Sequence, residues 1–263
     1  MPAISPPSAT GRGTSSRRMS AAEAALRNAI EEAYRAFADV PAPQKLEASP
    51  LRDADATLRT LTASPLRRLG DEQIGPYSGW AMTTMGDARA YRHFLPRILE
   101  LSVARAGWLG AEPVIMADKL AMAGWRDWPA DQQRTVLGFF HAAFMVSRAR
   151  HPEEDEQANL WLAALITLGE PLAPLFEAWC TEASPNAALQ LALFIQREGR
   201  QLHRHGEVRG PFWNGVDVIE RRALAQLLRS GETRALLESA LARVAGEDRW
   251  LLGTALAELE RKF

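Results

Sequence analysis

The sequence predicts an all-α protein made of short helices stacked as antiparallel hairpins. Alanine and leucine number 45 and 33, against 9 valines and 8 isoleucines. The first pair loses little on entering a helix, whereas β-branched residues favour sheets. No run rich in Val and Ile is long enough to be the buried strand of a parallel sheet. Helix-start and helix-stop residues recur about every 20 residues, which gives about eleven helices of roughly 10–20 residues with short joints. A hairpin period of about 40–45 residues fits a HEAT-like α-solenoid. No residue-level repeat supports it, so an irregular helical bundle is the alternative.

The elements follow in chain order. Residues 1–18, rich in Pro, Ser, Gly and Thr, read as a disordered tail ahead of a single helical domain over 19–263. Met19-Ser20 opens a clean helix, so Met19 is a candidate native start. Ser20 caps a helix to about Ala38, and Val40-Pro-Ala-Pro43 ends it. After a Pro-flanked connector at 41–52, Asp53 caps the next helix, which stops near Ser64-Pro65. Asp71 starts another that runs past Tyr77 and Trp80 to Met85, and Gly86-Asp87 recaps the chain. Pro113 to Gly124 is one short helix, and Pro129 starts a longer one through Phe139, Phe140 and Phe144. Pro152-Glu-Glu-Asp-Glu reads as a helix start, with proline and acids at the positive end of the dipole. Gly169-Glu-Pro171 and Ser184-Pro185 separate two more helices. Gly206 to Pro211 bends the chain before a helix carrying Phe212, Trp213, Val216 and Ile219. Ser230-Gly231 and Gly246-Glu-Asp248 bracket the last two.

Charge and cysteine content exclude several classes. The net charge of −1 argues against a globally basic nucleic-acid binder. One cysteine, Cys180, rules out an internal disulfide framework and a cysteine-rich zinc site. No run of about 18 apolar residues offers a membrane span, and the expected compartment is the cytoplasm. Twenty-eight arginines against three lysines, with so much alanine, match the codon bias of a GC-rich bacterial genome.

Residues 87–101, DARAYRHFLPRILEL, hold the densest chemistry. On a helical wheel Tyr91, Phe94, Leu95, Ile98 and Leu101 share one face, and Arg89, Arg92, His93, Arg97 and Glu100 the other. Pro96 would clash with the Arg92 carbonyl, so the segment is expected to kink or to restart there. Carbonyls freed in this way, beside His93 and two arginines, make a polar corner. One reading is a solvated helix face. Another is a recognition site in which Arg92 and Arg97 hold a carboxylate or phosphate. A third is catalysis with His93 as base oriented by Glu100.

The stretch PLRRLG…IGPYSGWAMTTMGDARAYRHFLPRILEL resembles a block of uncharacterised bacterial all-helical proteins, "Y…A…T.G…RHFLPRILEL". It covers residues 58–103 only. No activity comes with the resemblance, but it implies that Tyr77, Thr84, Gly86, His93, Pro96, Arg97 and Glu100 belong together.

Elsewhere the signals are weaker. His203 and His205 point about 200° apart on a helix and cannot share a metal there. Cys180, beside Trp179, reads as a buried inert thiol. The eight tryptophans, among them Trp108 and Trp250, read mostly as core, with Trp125 and Trp128 on a loop as candidate anchors for a partner.

The expected function is that of a non-catalytic module binding a protein partner along a helical groove, an immunity or antitoxin-type protein being one setting. Tyr77, Arg92, His93, Arg97, Glu100, Trp125 and Trp128 are the candidate binding residues; no metal or cofactor is expected. One alternative is a small-molecule enzyme using His93 and Glu100 with an arginine clamp. The other is an anion or nucleic-acid binder using Arg67, Arg68, Arg89, Arg92 and Arg97, although nucleic acid is disfavoured by the overall charge.

Overall fold

The computed structural model describes residues 20–104, 110–155, 157–182 and 184–261. The expectations for residues 1–18, Met19 and Trp108 lie outside them. The described residues form twelve α-helices and no strand beyond two isolated bridges, Ala48 to Met85 and Ala81 to Met85. The helices are α1 (Ala21–Ala36), α2 (Ala54–Thr62), α3 (Asp71–Trp80), α4 (Ala88–Ala104), α5 (Pro113–Met122) and α6 (Ala130–Ala149). They continue with α7 (Ala158–Thr167), α8 (Leu172–Cys180), α9 (Pro185–His205), α10 (Val218–Leu228), α11 (Gly231–Leu241) and α12 (Gly246–Glu260). The fold is all-α. No described helix is long and apolar enough to cross a membrane.

Local chemistry explains most boundaries. Ser20 and Glu23 form a reciprocal capping box at α1, and Asp53, Ser184 and Ser230 each accept a backbone N–H at the start of α2, α9 and α11. Four expectations need correction. Helix α3 stops at Trp80 and not at Met85, because residues 82–84 turn back and the Met82 N–H donates to the Met85 carbonyl at 3.2 Å. Pro96 neither breaks nor restarts α4, which runs through it. Pro96 is buried, as are Phe94, Leu95, Ile98 and Leu99, so burial of this face outweighs the local tendency of proline to end a helix. Pro152 starts no helix. Residues 152–154 form a turn, and the Asp155 carboxylate instead accepts the Gln157 N–H at 3.0 Å, ahead of α7. Phe212 and Trp213 belong to a 3-10 turn, Pro211–Trp213, and the helix after them starts only at Val218, with Asp217 as its cap.

The broadest packing joins helices that are not neighbours in the chain, α1 with α6 and α9 with α12, while α6–α7 and α11–α12 are sequential pairs. Stacking of consecutive hairpins alone does not bring α1 onto α6. Aromatic rings run through the core from α6 to the 3-10 turn. Phe140 meets Trp161 edge-on at 5.4 Å, and Phe144 meets Trp179 at 5.5 Å. Trp179 then stacks on Phe194 at 6.4 Å, and Phe194 on Trp213 at 5.5 Å. Contacts of this kind add about 0.5–1.5 kcal/mol each beyond their buried area. Trp250, in contrast, is 67 % exposed.

A second tie fixes α3. The Lys119 ammonium, from α5, donates to the carbonyls of Ser78 and, at 3.2 Å, Gly79, the orphan acceptors at the end of that helix. Burial pushes this ammonium down to about 8, against the favourable charge of Glu112. Gly110 has φ +80° and lies so close to Gly79 that any Cβ there would collide with the α3 backbone.

Candidate functional site around helix α4

Asp87 precedes helix α4, and its carboxylate accepts the Ala90 N–H at 2.8 Å. Tyr91, Phe94, Leu95 and Ile98 of its expected apolar face are at most 1 % exposed, whereas Leu101 is only half-buried. Its polar face is not simply solvated. Arg92, His93, Arg97 and Glu100 each reach an element distant in the chain, two of them through backbone carbonyls, while Arg89 is exposed.

His93 donates from Nδ1 to the Val40 carbonyl, 2.8 Å away, which fixes its tautomer. Arg97 donates from Nε to the Leu69 carbonyl at 2.7 Å and from a terminal nitrogen to Glu100 at 2.5 Å. The same Glu100 oxygen accepts the Tyr34 hydroxyl of α1 at 2.6 Å. Burial, and then the Glu100 charge, hold that phenol well above its usual range. Arg67 closes the cluster from outside, its guanidinium 4.3 Å above the Tyr34 ring and paired with Glu31. Arg92 donates from Nε to the Gln132 side chain at 2.6 Å, and Gln132 passes its own N–H to the Ala36 carbonyl at the end of α1, 2.8 Å away.

Several candidate residues are internal. Tyr77 is fully buried, its ring edge-on to Phe94 at 4.9 Å, and burial raises its hydroxyl far above the phenol range. Gly86 packs on it: φ is +72°, and a Cβ there would sit 3.1 Å from the Tyr77 hydroxyl. The buried oxygens of Tyr77, Thr84 and Tyr91 have no hydrogen-bond partner. Trp125 and Trp128 are 4 % and 8 % exposed, so neither ring stands free at the surface. Trp128 donates its indole N–H to the Ala123 carbonyl at 3.2 Å and meets Phe37 edge-on at 5.8 Å. The loop position suggested exposure, but the short 3-10 turn Trp125–Asp127 folds both rings inward.

The catalytic arrangement of His93 with Glu100 is not formed, since His93 is committed to Val40 and Glu100 to Tyr34 and Arg97. The proposed arginine stripe is likewise divided. Arg67 and Arg97 are engaged by carboxylates. His203 lies 3.0 Å from Glu258, and no group of three ligating side chains fit for a metal occurs among the described residues. Cys180 is half-buried, and burial pushes its thiol up to about 11, so it is poorly reactive.

What remains open at α4 is a surface notch of about 410 Å³ at its N-terminal end. Asp39, Pro41, Ala88, Arg89, Arg92 and Trp128 line it. Arg92 lies there 5.4 Å from the Trp128 ring centre, held by Gln132, and Arg89 is exposed beside it. Sequence reasoning found Arg92 but missed Gln132, Tyr34, Val40 and Leu69, whose roles depend on contacts 28 to 66 residues away along the chain. No family model, curated protein or solved structure matches the chain.

Proposed function

We propose that this chain is a non-catalytic protein-interaction module that receives an acidic group of a partner protein in the notch at the start of α4. The observation that carries this reading is the placement of Arg92. Gln132 orients its guanidinium from behind, so the terminal nitrogens remain for a carboxylate in the notch that Arg89 also lines. A guanidinium held by a second side chain loses less entropy on binding than a free one. Asp39, which also lines the notch, favours a ligand that carries a donor besides its acid. Arg97 has no part in recognition in this reading; it fastens the fold. Occlusion of a partner, as an immunity or antitoxin-type protein would perform in a bacterial cytoplasm, fits such a surface.

The test is a pull-down from native lysate with the wild type and the Arg89→Glu/Arg92→Gln double variant, after thermal melts show equal folding. A partner retained by the wild type and lost at least tenfold by the variant is expected. Partners recovered with the same yield by both proteins would remove the notch from consideration.

A further inference from the structure

A separate cavity of about 270 Å³ lies between α7, α9 and the Pro211–Trp213 turn. Its wall follows from the start of α7. Ala158, Asn159 and Trp161 to Ile166 are all buried, so this helix is enclosed by the rest of the molecule. Asn159 therefore carries a carboxamide into the interior, and Gln157, the residue ahead of the helix, is buried with it.

Gln157 and Asn159 are 7 % and 9 % exposed, and both line the cavity. Neither carboxamide makes a hydrogen bond among the described residues, although the Gln157 backbone N–H donates to Asp155. The carboxamide atoms keep accessible surface, unlike Oε2 of Glu198, which is sealed off and takes no part. Buried polar groups of folded proteins nearly always have a partner, so these two side chains call for one that enters the cavity. The wall selects its chemistry. A carboxamide donates through its nitrogen and accepts through its oxygen, so its complement presents an acceptor beside a donor. That pair is the edge of another amide. The phenyl and indole at 212 and 213 suit a planar molecule. Arg197 and Glu198 bring charges of opposite sign to the wall and attract each other, which favours a neutral ligand over an ion. The volume falls below the roughly 300–1,000 Å³ of drug-sized sites, so the ligand is small.

We propose that this cavity binds a small, neutral, planar compound with an amide edge, C=O beside N–H, which pairs with the carboxamides of Gln157 and Asn159. This site is independent of the α4 notch.

The test is titration of the full chain with benzamide and with uracil, an open amide and a cyclic one, followed by thermal melts and amide NMR shifts. N,N-dimethylbenzamide and N,N′-dimethyluracil, which lack the N–H, serve as controls, with sodium benzoate and benzylammonium chloride as the charged ones. Saturable binding of at least one amide, at least tenfold tighter than its controls, is expected, with shifts centred on residues 157–160 and 210–213. Which of the two binds tells an open amide from a ring. Asn159→Leu should weaken it at least tenfold. Leu160→Trp, which fills the cavity and keeps both carboxamides, should do the same and decides the matter if the first variant does not fold. Amides indistinguishable from the controls, as for a cavity holding water only, overturn the proposal. So does undiminished binding in whichever of these variants folds.

Discussion

Removing the Arg97 side chain should cost the fold more than removing any other charged group on α4. Arg97→Ala takes the donor from the Leu69 carbonyl, which belongs to a fully buried residue. A buried acceptor left without its partner costs about 1–3 kcal/mol. The same change deletes an ion pair with Glu100, at side-chain exposures of 14 % and 28 %, worth about a further 1 kcal/mol at this degree of burial. Glu100 is not orphaned, because Tyr34 still donates to it. The sum is about 2–4 kcal/mol, a fall in melting temperature of roughly 4–7 °C for a protein of this size. Urea unfolding, with Arg89→Ala as the exposed control at within about 0.5 kcal/mol of wild type, measures it. A double-mutant cycle with Glu100→Gln separates the ion pair from the carbonyl. An Arg97→Ala protein as stable as the wild type would refute the view that this side chain is a structural tie.

Other outcomes follow from the same geometry. Gly86→Ala forces a side chain into the left-handed region against the Tyr77 hydroxyl and should cost about 1–3 kcal/mol in urea unfolding. Lys119→Met leaves two α3 carbonyls without their donor and should cost about 2–4 kcal/mol, although it also removes a poorly solvated charge. Glu198 binds its proton more tightly in the folded state, with its carboxyl raised from 4.5 to about 7. Its contribution is therefore full below pH 4.5 and is lost as pH rises through about 7. After allowance for its partial exposure to solvent, the loss is about 1–2 kcal/mol. Glu198→Gln should flatten this slope relative to wild type and be the more stable protein at pH 8; parallel pH curves would contradict it.

The helices were readable in the sequence because their causes are local. Ser20 with Glu23, Asp53, Ser184 and Ser230 carry their capping chemistry within three residues. The buried face of α4 likewise follows from the spacing of Tyr91, Phe94, Leu95 and Ile98 alone. Pro152 misled because its signal is equally local, whereas Asp155 spends its carboxylate on the turn before α7. The polar face of α4 shows the limit. That His93, Arg97 and Glu100 carry the chemistry of the segment was readable, but their partners Val40, Leu69 and Tyr34 depend on how α1 and the loop before α3 are laid against α4.

The division of α4 into inward fastenings and an outward anion receptor is tested most directly by taking Arg97→Ala and Arg89→Glu through one pair of assays, unfolding and partner capture. Arg97→Ala should unfold at markedly lower temperature yet retain its partner while folded, and Arg89→Glu should melt with the wild type yet release it. The reverse pattern, stability lost with Arg89 and capture lost with Arg97, would show that the two arginines have been given each other's roles.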